Sequence, residues 1–445
     1  MTTEDLYKLF RQHPAISTDT RKIADGSLFF ALKGDKFDAN TFAAKAIEAG
    51  AAYAIIDNPE YNLNEKYILV DDVLTALQDL ARYHRSQLNI PVIGLTGTNG
   101  KTTTKELINS ILSQHYKTLA TQGNLNNHIG VPLTLLSIDS SHEMAVIEMG
   151  ANHQKEIELL CSIAQPTHGL ITNVGKAHLE GFGGIEGVKK GKGELYDYLK
   201  KSEGQQNCVA FVNSGDKTLL EMEQARALKN VVFYGTGNKQ NLVTGKIIEN
   251  SPLLTLQWTN SQSRNTSTTK TQLTGAYNLD NILAAICIGV YFGLTDEEIK
   301  KGIERYEPKN NRSQIVQTAT NTLICDYYNA NPSSMFVAIE NIGKLDAKRK
   351  VLILGDMFEM GDETAVEHTS VIKKAMETPV DERIFIGKDF FEAKTAMDHR
   401  PSTMDFFYPT ADDAINALKA SPIKKSTILI KGSRGMALER LVELL

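Results

Sequence analysis

The sequence predicts an α/β protein of three domains: a small N-terminal α/β unit, a central unit built on a phosphate-binding loop, and a C-terminal Rossmann-like unit. Three observations carry this expectation. The 445 residues exceed what one core fills, and domains of about 100–200 residues divide such a chain into two to four. Short apolar runs alternate with helical patterns, the arrangement of parallel sheets. At 92–105 the run Val-Ile-Gly-Leu-Thr-Gly-Thr-Asn-Gly-Lys-Thr-Thr-Thr-Lys joins a buried strand to a helix through a Gly-rich turn.

The N-terminal unit spans 1–88. Leu6, Leu9 and Phe10 fit one helical face, and 28–32 reads as a strand after the turn signal Asp25-Gly26. A helix is expected over 40–49, closed by Gly50, with strands over 51–56 and 67–70. Asp72 can cap a helix running to about Leu88. The polar loop 17–21, with Thr18, Asp19 and Arg21, has the side chains to hold a phosphate-bearing ligand or to stand as a solvated loop.

The central unit spans 89–308. In its loop, Gly97 and Gly100 let backbone N–H groups approach phosphate oxygens, Lys101 can reach terminal phosphates and Thr102 can hold Mg²⁺. Leu95 stands where longer phosphate loops carry a further glycine. An amide-rich loop follows at 123–132. The strand 144–149 brings Glu148 to a carboxyl end, where a carboxylate can hold Mg²⁺ or cap the next helix. A strand over 169–174 leads into 175–193, where seven glycines fall in nineteen residues. That density predicts a loop that approaches a ligand or moves. His178 and Lys192 lie inside it; taken locally, the first reads as a hydrogen-bonded loop histidine before a metal ligand, and the second as part of a solvated helix face. Further strands are expected at 209–212, 231–234 and around Trp258, with an exposed hairpin or loop over 259–272. Asn278 opens an Ala/Ile-rich helix to about Phe292, where its amide can cap or read a base, and 296–306 is a short helix.

The third unit spans 309–445. Strands are expected at 322–327, 351–354, 383–386 and 428–430, the last leading through Lys431 and Arg434 into a final helix. Those two cations at a strand end form an expected anion site.

Composition narrows the function classes. A net charge of −5 and an isoelectric point near 6.1 leave no polycation footprint, so nucleic acid is not an expected partner. Cys161, Cys208, Cys287 and Cys325 are far apart and form no CxxC pair, so neither a zinc site nor a disulfide framework is expected. The acidic start, Met-Thr-Thr-Glu-Asp, and the absence of an apolar run near ~18 residues predict a soluble, cytoplasmic protein without membrane insertion.

The short loop Thr-Gly-Thr-Asn-Gly-Lys-Thr-Thr at 96–103 resembles the ATP signature of the Mur ligases, the amide-forming enzymes of peptidoglycan precursor synthesis. Glu148, His178, Lys192 in Lys-Gly-Glu, Asn278, Asn281, Arg312 and Asp326 follow in family order, over nearly the whole chain. Gly-Asn-Leu-Asn-Asn-His-Ile-Gly-Val-Pro at 123–132, Tyr-Asn-Ala-Asn-Pro at 328–332 and Lys-Gly-Ser-Arg at 431–434 are similar to the branch that adds D-alanyl-D-alanine to UDP-N-acetylmuramoyl-tripeptide.

The resemblance implies ATP and two Mg²⁺, and an acyl-phosphate route. It implies ATP contacts from Gly97, Thr98, Asn99, Gly100, Lys101, Thr102 and Thr103, with Asn278, Asn281, Arg312 and Asp326. Thr102 and Glu148 would hold one Mg²⁺, and His178 and a carbamylated Lys192 the second. Thr18, Asp19, Arg21 and Lys33 would receive the UDP-sugar. Asn126, Asn127, Asn329, Asn331, Lys431 and Arg434 would meet the substrates or the transferred phosphate, and the chain would act as a monomer. Where relatives often carry Asp-Gly-His this chain has Asp38, Ala39 and Asn40, and Tyr277 stands where they often carry histidine.

Overall fold

A computed structural model describes residues 1–204, 206–237, 240–395 and 404–445. Among the described residues, three large sheets organise the chain, beside a two-stranded antiparallel ribbon of Lys33–Gly34 and Phe37–Asp38. The first is parallel, in the order Ile16–Ser17, Leu28–Phe30, Tyr53–Ile56, Tyr67–Leu69. The helices Thr3–Gln12 and Val73–Ser86 pack against each other, and the Asp72 carboxylate caps the second by accepting from Thr75 N–H at 2.9 Å. The expected helix over 40–49 is split into a 3₁₀ turn, Ala39–Phe42, and a short helix, Ala43–Glu48. Asn40 explains the split: it is buried, and its amide donates to Asp38 and Asp57 at 2.7 and 2.8 Å.

The central sheet has nine strands. From one edge these are Thr266–Lys270, Leu254–Asn260, Val243–Asn250, Val231–Gly235, Val209–Asn213, His168–Ile171, Val92–Thr96, Met144–Glu148 and Thr118–Ala120. The seven from Val243–Asn250 onward run parallel; the Trp258 strand and its neighbour form the antiparallel hairpin. Alternate residues of the inner strands face two separate cores: Val92, Ala145 and Ile147 one, Ile93, Leu95 and Val146 the other. The first of these cores is continuous with that of the N-terminal unit, through Leu77, Leu80 and Ala81. Arg85 strengthens the join, its guanidinium donating to the carbonyls of Ala164 and Gln165 at 3.1 Å each.

The last sheet runs Gln314–Gln317, Thr322–Asp326, Thr427–Lys431, Lys350–Gly355, Glu382–Ile386, Asp405–Tyr408, and only the first strand is antiparallel. Its first and last strands are additions to the elements read from sequence. The expected final helix is two 3₁₀ segments, Arg434–Met436 and Leu438–Leu444, separated by Ala437 at φ +50°. Among the described residues no helix is long and apolar enough to cross a membrane.

The glycine-rich stretch corrects a larger expectation. It is not one loop: a short helix, Leu179–Phe182, is followed by an eighteen-residue helix, Ile185–Ser202. The glycines serve close packing. A Cβ at Gly187 would lie 1.8 Å from the Phe182 carbonyl oxygen, and one at Gly191 would lie 2.5 Å from the Phe182 ring. Glycine to alanine inside a helix ordinarily stabilises by about 1 kcal/mol. Here the clash with backbone reverses the sign, and Gly187→Ala is expected to lose about 1–3 kcal/mol in urea unfolding.

Candidate active site

A cavity of about 810 Å³ opens at the carboxyl ends of the central strands, where the C-terminal domain closes over the phosphate loop. Its position follows from the loop's anchoring. The strand Val92–Thr96 is buried throughout, and Gly97 turns the chain at φ +147°, so close to the next strand that a Cβ would sit 2.0 Å from the Thr172 hydroxyl. Gly100, at φ +78°, begins the helix Lys101–Leu112 and leaves no room for a Cβ beside the Asn281 amide, 2.5 Å away. Asn173 holds the loop from outside: its carbonyl accepts from Thr98 N–H at 3.0 Å and its side-chain oxygen from Asn99 N–H at 2.9 Å. The Thr172 hydroxyl donates to the Asn99 carbonyl at 2.7 Å.

Lys101 curls into this loop and donates to the carbonyls of Gly97 and Thr98 at 2.7 and 3.0 Å. Burial lowers its ammonium to about 8, opposed by the Glu148 charge and assisted by that of Arg312. Glu148 ends the neighbouring strand and is 1% exposed. One of its oxygens accepts from the Thr102 hydroxyl at 3.2 Å and the Asn126 amide at 2.9 Å. The other has no hydrogen-bond partner among the described residues. A buried carboxylate with one oxygen unsatisfied, beside a threonine hydroxyl and a phosphate loop, fits the donor set for a hard divalent cation.

His178 adopts φ +50°, lines the cavity and turns its ring toward Glu359 of the C-terminal domain. Burial pushes its pKa down, with Glu359 opposing and Lys101 and Lys192 adding to the fall. Lys192 does not line the cavity; it is a buried residue of the Ile185–Ser202 helix. Its amine is 3.3 Å from the Ala151 carbonyl and 5.0 Å from the Phe182 ring centre. Burial drives this amine well below the usual lysine range, and the Lys101 charge adds to the effect. The local reading of a solvated lysine is thereby overturned.

Asn278 and Asn281 face the loop from the helix Asn278–Tyr291. Asn278 is the first residue of that helix and not its cap; its amide donates back to the Thr274 carbonyl at 2.8 Å. Asn281 donates to Asn278 at 2.9 Å and accepts from the Thr104 hydroxyl at 3.0 Å. Thr103 also lines the cavity. Arg312 stacks on Tyr328 at 3.8 Å, and Arg434 approaches the same ring at 5.1 Å. Asp326 and Lys431 form a pair at 2.8 Å. Asn331 caps the helix Pro332–Lys344 and donates to the Asn99 side chain at 2.8 Å, crossing between domains. Asn329 lines the same wall, its side-chain oxygen accepting from Ala330 N–H. Asn127 also lines the cavity, while its side-chain oxygen accepts from the N–H groups of Ile129 and Gly130 at 3.1 and 2.9 Å, ahead of the helix Gly130–Leu136.

The N-terminal candidates are not part of this cavity's lining. Thr18 is half-buried in the loop preceding the Leu28–Phe30 strand. Arg21 pairs with Asp19 at 2.8 Å, and Lys33 with the buried Asp57 carboxylate at 2.7 Å.

Family models describe the same three units. The Mur ligase family catalytic domain matches 14–85, the Mur ligase middle domain 95–289, and the Mur ligase glutamate ligase domain 311–434. This chain belongs to the Mur ligase family. Among its relatives, the UDP-N-acetylmuramoyl-tripeptide–D-alanyl-D-alanine ligase of Bacillus subtilis is 36% identical, over 96% of this chain and 92% of that protein. The ligase of the same name from Escherichia coli is 35% identical, over 97% and 93%. A crystal structure of MurF from Acinetobacter baumannii superposes with a TM-score of 0.85 at 33% identity, covering 96% of this chain and 92% of that one. MurF from Thermotoga maritima in complex with ADP gives 0.81 at 25%, covering 96% of each.

Within this Mur ligase site, several working residues lay outside the sequence candidates. Asn173 and Thr172 anchor the loop, and their place just after a strand of the central sheet was the available signal. Tyr328 carries two guanidinium groups. Glu194, beside Lys192, accepts from the N–H groups of Lys155 and Glu158 at 2.6 and 2.9 Å, capping the helix Glu156–Ala164. Lys176 crosses to the buried Glu367 of the C-terminal domain at 2.6 Å. A third acidic group, Asp356 with His368 and Asp389, brings ligand-type atoms within 4.8 Å. Its functions are internal: Asp356 accepts from the N–H groups of Asp389 and Phe390 at 3.0 Å, and His368 Nε2 from Met357 N–H at 3.1 Å.

The lowered Lys101 pKa makes nucleotide binding depend on protons. A phosphate in the loop raises a lysine pKa that burial has lowered. At about pH 8.5 the free amine is largely neutral and the complex charged, so ADP binding takes up part of a proton; at about pH 6.5 both states are charged and uptake vanishes. Calorimetry in two buffers of different ionisation enthalpy reads the difference.

Proposed function

We infer that this chain is an ATP-dependent ligase that joins D-alanyl-D-alanine to UDP-N-acetylmuramoyl-tripeptide, giving the UDP-N-acetylmuramoyl-pentapeptide precursor of peptidoglycan. The full-length likeness to ligases of that name carries the reading, and the phosphate loop facing a buried carboxylate supports it. The likeness to folylpolyglutamate synthase, at a TM-score of 0.63 and 16% identity, is one of fold alone.

Forming an amide from a carboxylate requires a leaving group. The tripeptide carboxylate attacks the γ-phosphorus of ATP, the bond to the β–γ bridging oxygen breaks, and ADP leaves. The amine of D-alanyl-D-alanine then attacks the acyl phosphate, and the tetrahedral intermediate expels inorganic phosphate. The nucleophile's amine has an ordinary pKa near ~8, so a neutral fraction exists near neutral pH without a dedicated base. Negative charge gathers on the γ-phosphoryl and acyl oxygens, and Lys101 and the amides of residues 97–103 are oriented before it arrives.

Thr102 and Glu148 would hold one Mg²⁺, and His178 with Lys192 a second. Bound there, Mg²⁺ supplies charge neutralisation to the phosphates. We assign Asn278, Asn281, Arg312 and Asp326 to the nucleotide. Asn126, Asn127, Asn329, Asn331, Lys431 and Arg434 are assigned to the amide-forming substrates or released phosphate. Thr18, Asp19, Arg21 and Lys33 are assigned to the UDP-sugar. The working units are taken as 1–88, 89–308 and 309–445, in a cytoplasmic monomer. The Asn99–Asn331 and Lys176–Glu367 contacts support closure of the third unit over the loop, which excludes water from the acyl phosphate.

We further propose that Lys192 carries a carbamate. Burial lowers its amine well below the usual lysine range, which favours the neutral form that adds to carbon dioxide, and loss of one proton leaves a carboxylate-like ligand beside His178. An unmodified amine in a well-ordered Mg²⁺–nucleotide complex would remove this proposal.

Phosphate release is expected to require both the tripeptide and D-alanyl-D-alanine; release stimulated instead by a single amino acid would move the chain to another ligase of the family. Lys101→Ala is expected to abolish ligation, a loss of at least about a hundredfold, with an unchanged circular dichroism spectrum. Retained turnover would remove Lys101 from the mechanism.

A further inference from the structure

The helix that follows the phosphate loop carries a second buried lysine that the reaction described above does not use. Lys105 lies four residues after Lys101 and three after Thr102, so the three share one helix face. The residue is 2% exposed. Its ammonium stands 3.6 Å from the Glu148 oxygen that has no hydrogen-bond partner, and 3.9 Å from Glu106. Glu106 is itself engaged, accepting from the Tyr306 hydroxyl at 2.8 Å. Lys101, the other cation nearby, is tied to the loop carbonyls. A fully buried carboxylate therefore has a dedicated cation at ion-pair range that stops short of bonding to it.

We infer that Lys105 is a positioning residue: a built-in counter-cation that holds the Glu148 carboxylate in place before a divalent cation arrives, and whose charge then limits how tightly that cation is held. The inference rests on the reading of Glu148 as a ligand for a divalent cation. Burying a carboxylate without a partner is costly, and removing one member of a buried pair strands the other. Lys105 meets that need while leaving the Glu148 oxygen's lone pairs unbonded. Once a divalent cation sits on that oxygen, the same ammonium lies close to it and repels it. The outcome is a site that is formed in advance and releases its metal–nucleotide product readily.

The test compares ADP affinity with and without Mn²⁺, the ratio reporting the metal's contribution. Lys105→Met keeps the apolar stem and removes the charge. It is expected to lower the melting temperature of the metal-free protein, and to raise the Mn²⁺ enhancement of ADP binding about tenfold, the scale of one charge at this range. In a Glu148→Gln background the same substitution leaves the ratio unchanged. A merely structural lysine would move the melting temperature and not the ratio, so an unchanged or smaller ratio in folded Lys105→Met overturns the inference. If Lys105→Met does not fold, the Glu148→Gln/Lys105→Met double variant is expected to fold, because the stranded carboxylate is gone; a double variant that also fails overturns it. A wild-type ratio of one would instead defeat the metal reading of Glu148 and the inference with it.

Discussion

The cleft depends on how closely the backbone of 97–100 is pressed against its neighbours. Gly97 touches Thr172, Gly100 touches Asn281, and the Asn173 side chain and carbonyl hold the intervening peptides. A loop fixed this way presents its N–H groups without reorganisation when a phosphate arrives, which is the condition for strong electrostatic stabilisation. The parallel register of the strands around Val92–Thr96 brings Glu148 opposite Leu95 and so beside that loop. The distance between the Glu148 carboxylate and the phosphate loop is thus a property of the sheet.

Charge is the second organising theme. Lys101, Lys105 and Lys192 are all held in or beside the same buried region, and their mutual repulsion and desolvation are met in different ways. Lys101 bonds to carbonyls, Lys105 faces Glu148, and among the described residues Lys192 meets the Ala151 carbonyl and the Phe182 ring. Burial drives the Lys192 amine well below the ordinary lysine range. Each lysine's chemistry follows from what surrounds its nitrogen more than from its residue type.

Much of this was legible in sequence where the deciding contacts are local. The strand–turn–helix of the phosphate loop, the Asp72 cap and the strand-end position of Glu148 all depend on neighbours within a few residues or on the rule for parallel sheets. The parts that were not legible depend on distant packing. Gly187 and Gly191 read as loop residues because glycine weakens an isolated helix, whereas here they admit Phe182. Lys192 reads as solvent-facing until that ring and the Ala151 loop cover it. Asn278 reads as a cap until Thr274 takes its amide.

The continuity of one hydrophobic core across the first two units has a consequence for how such enzymes diversify. The N-terminal unit shares buried side chains with the central one, and Arg85 is threaded into the end of a central helix. The two cores of the C-terminal unit draw only on its own residues, and the contacts described between it and the central unit are hydrogen bonds and ion pairs. Recombination between relatives would therefore meet different obstacles at the two junctions. Exchanging the C-terminal unit means matching a few polar partners, whereas exchanging the N-terminal unit means rebuilding an interior.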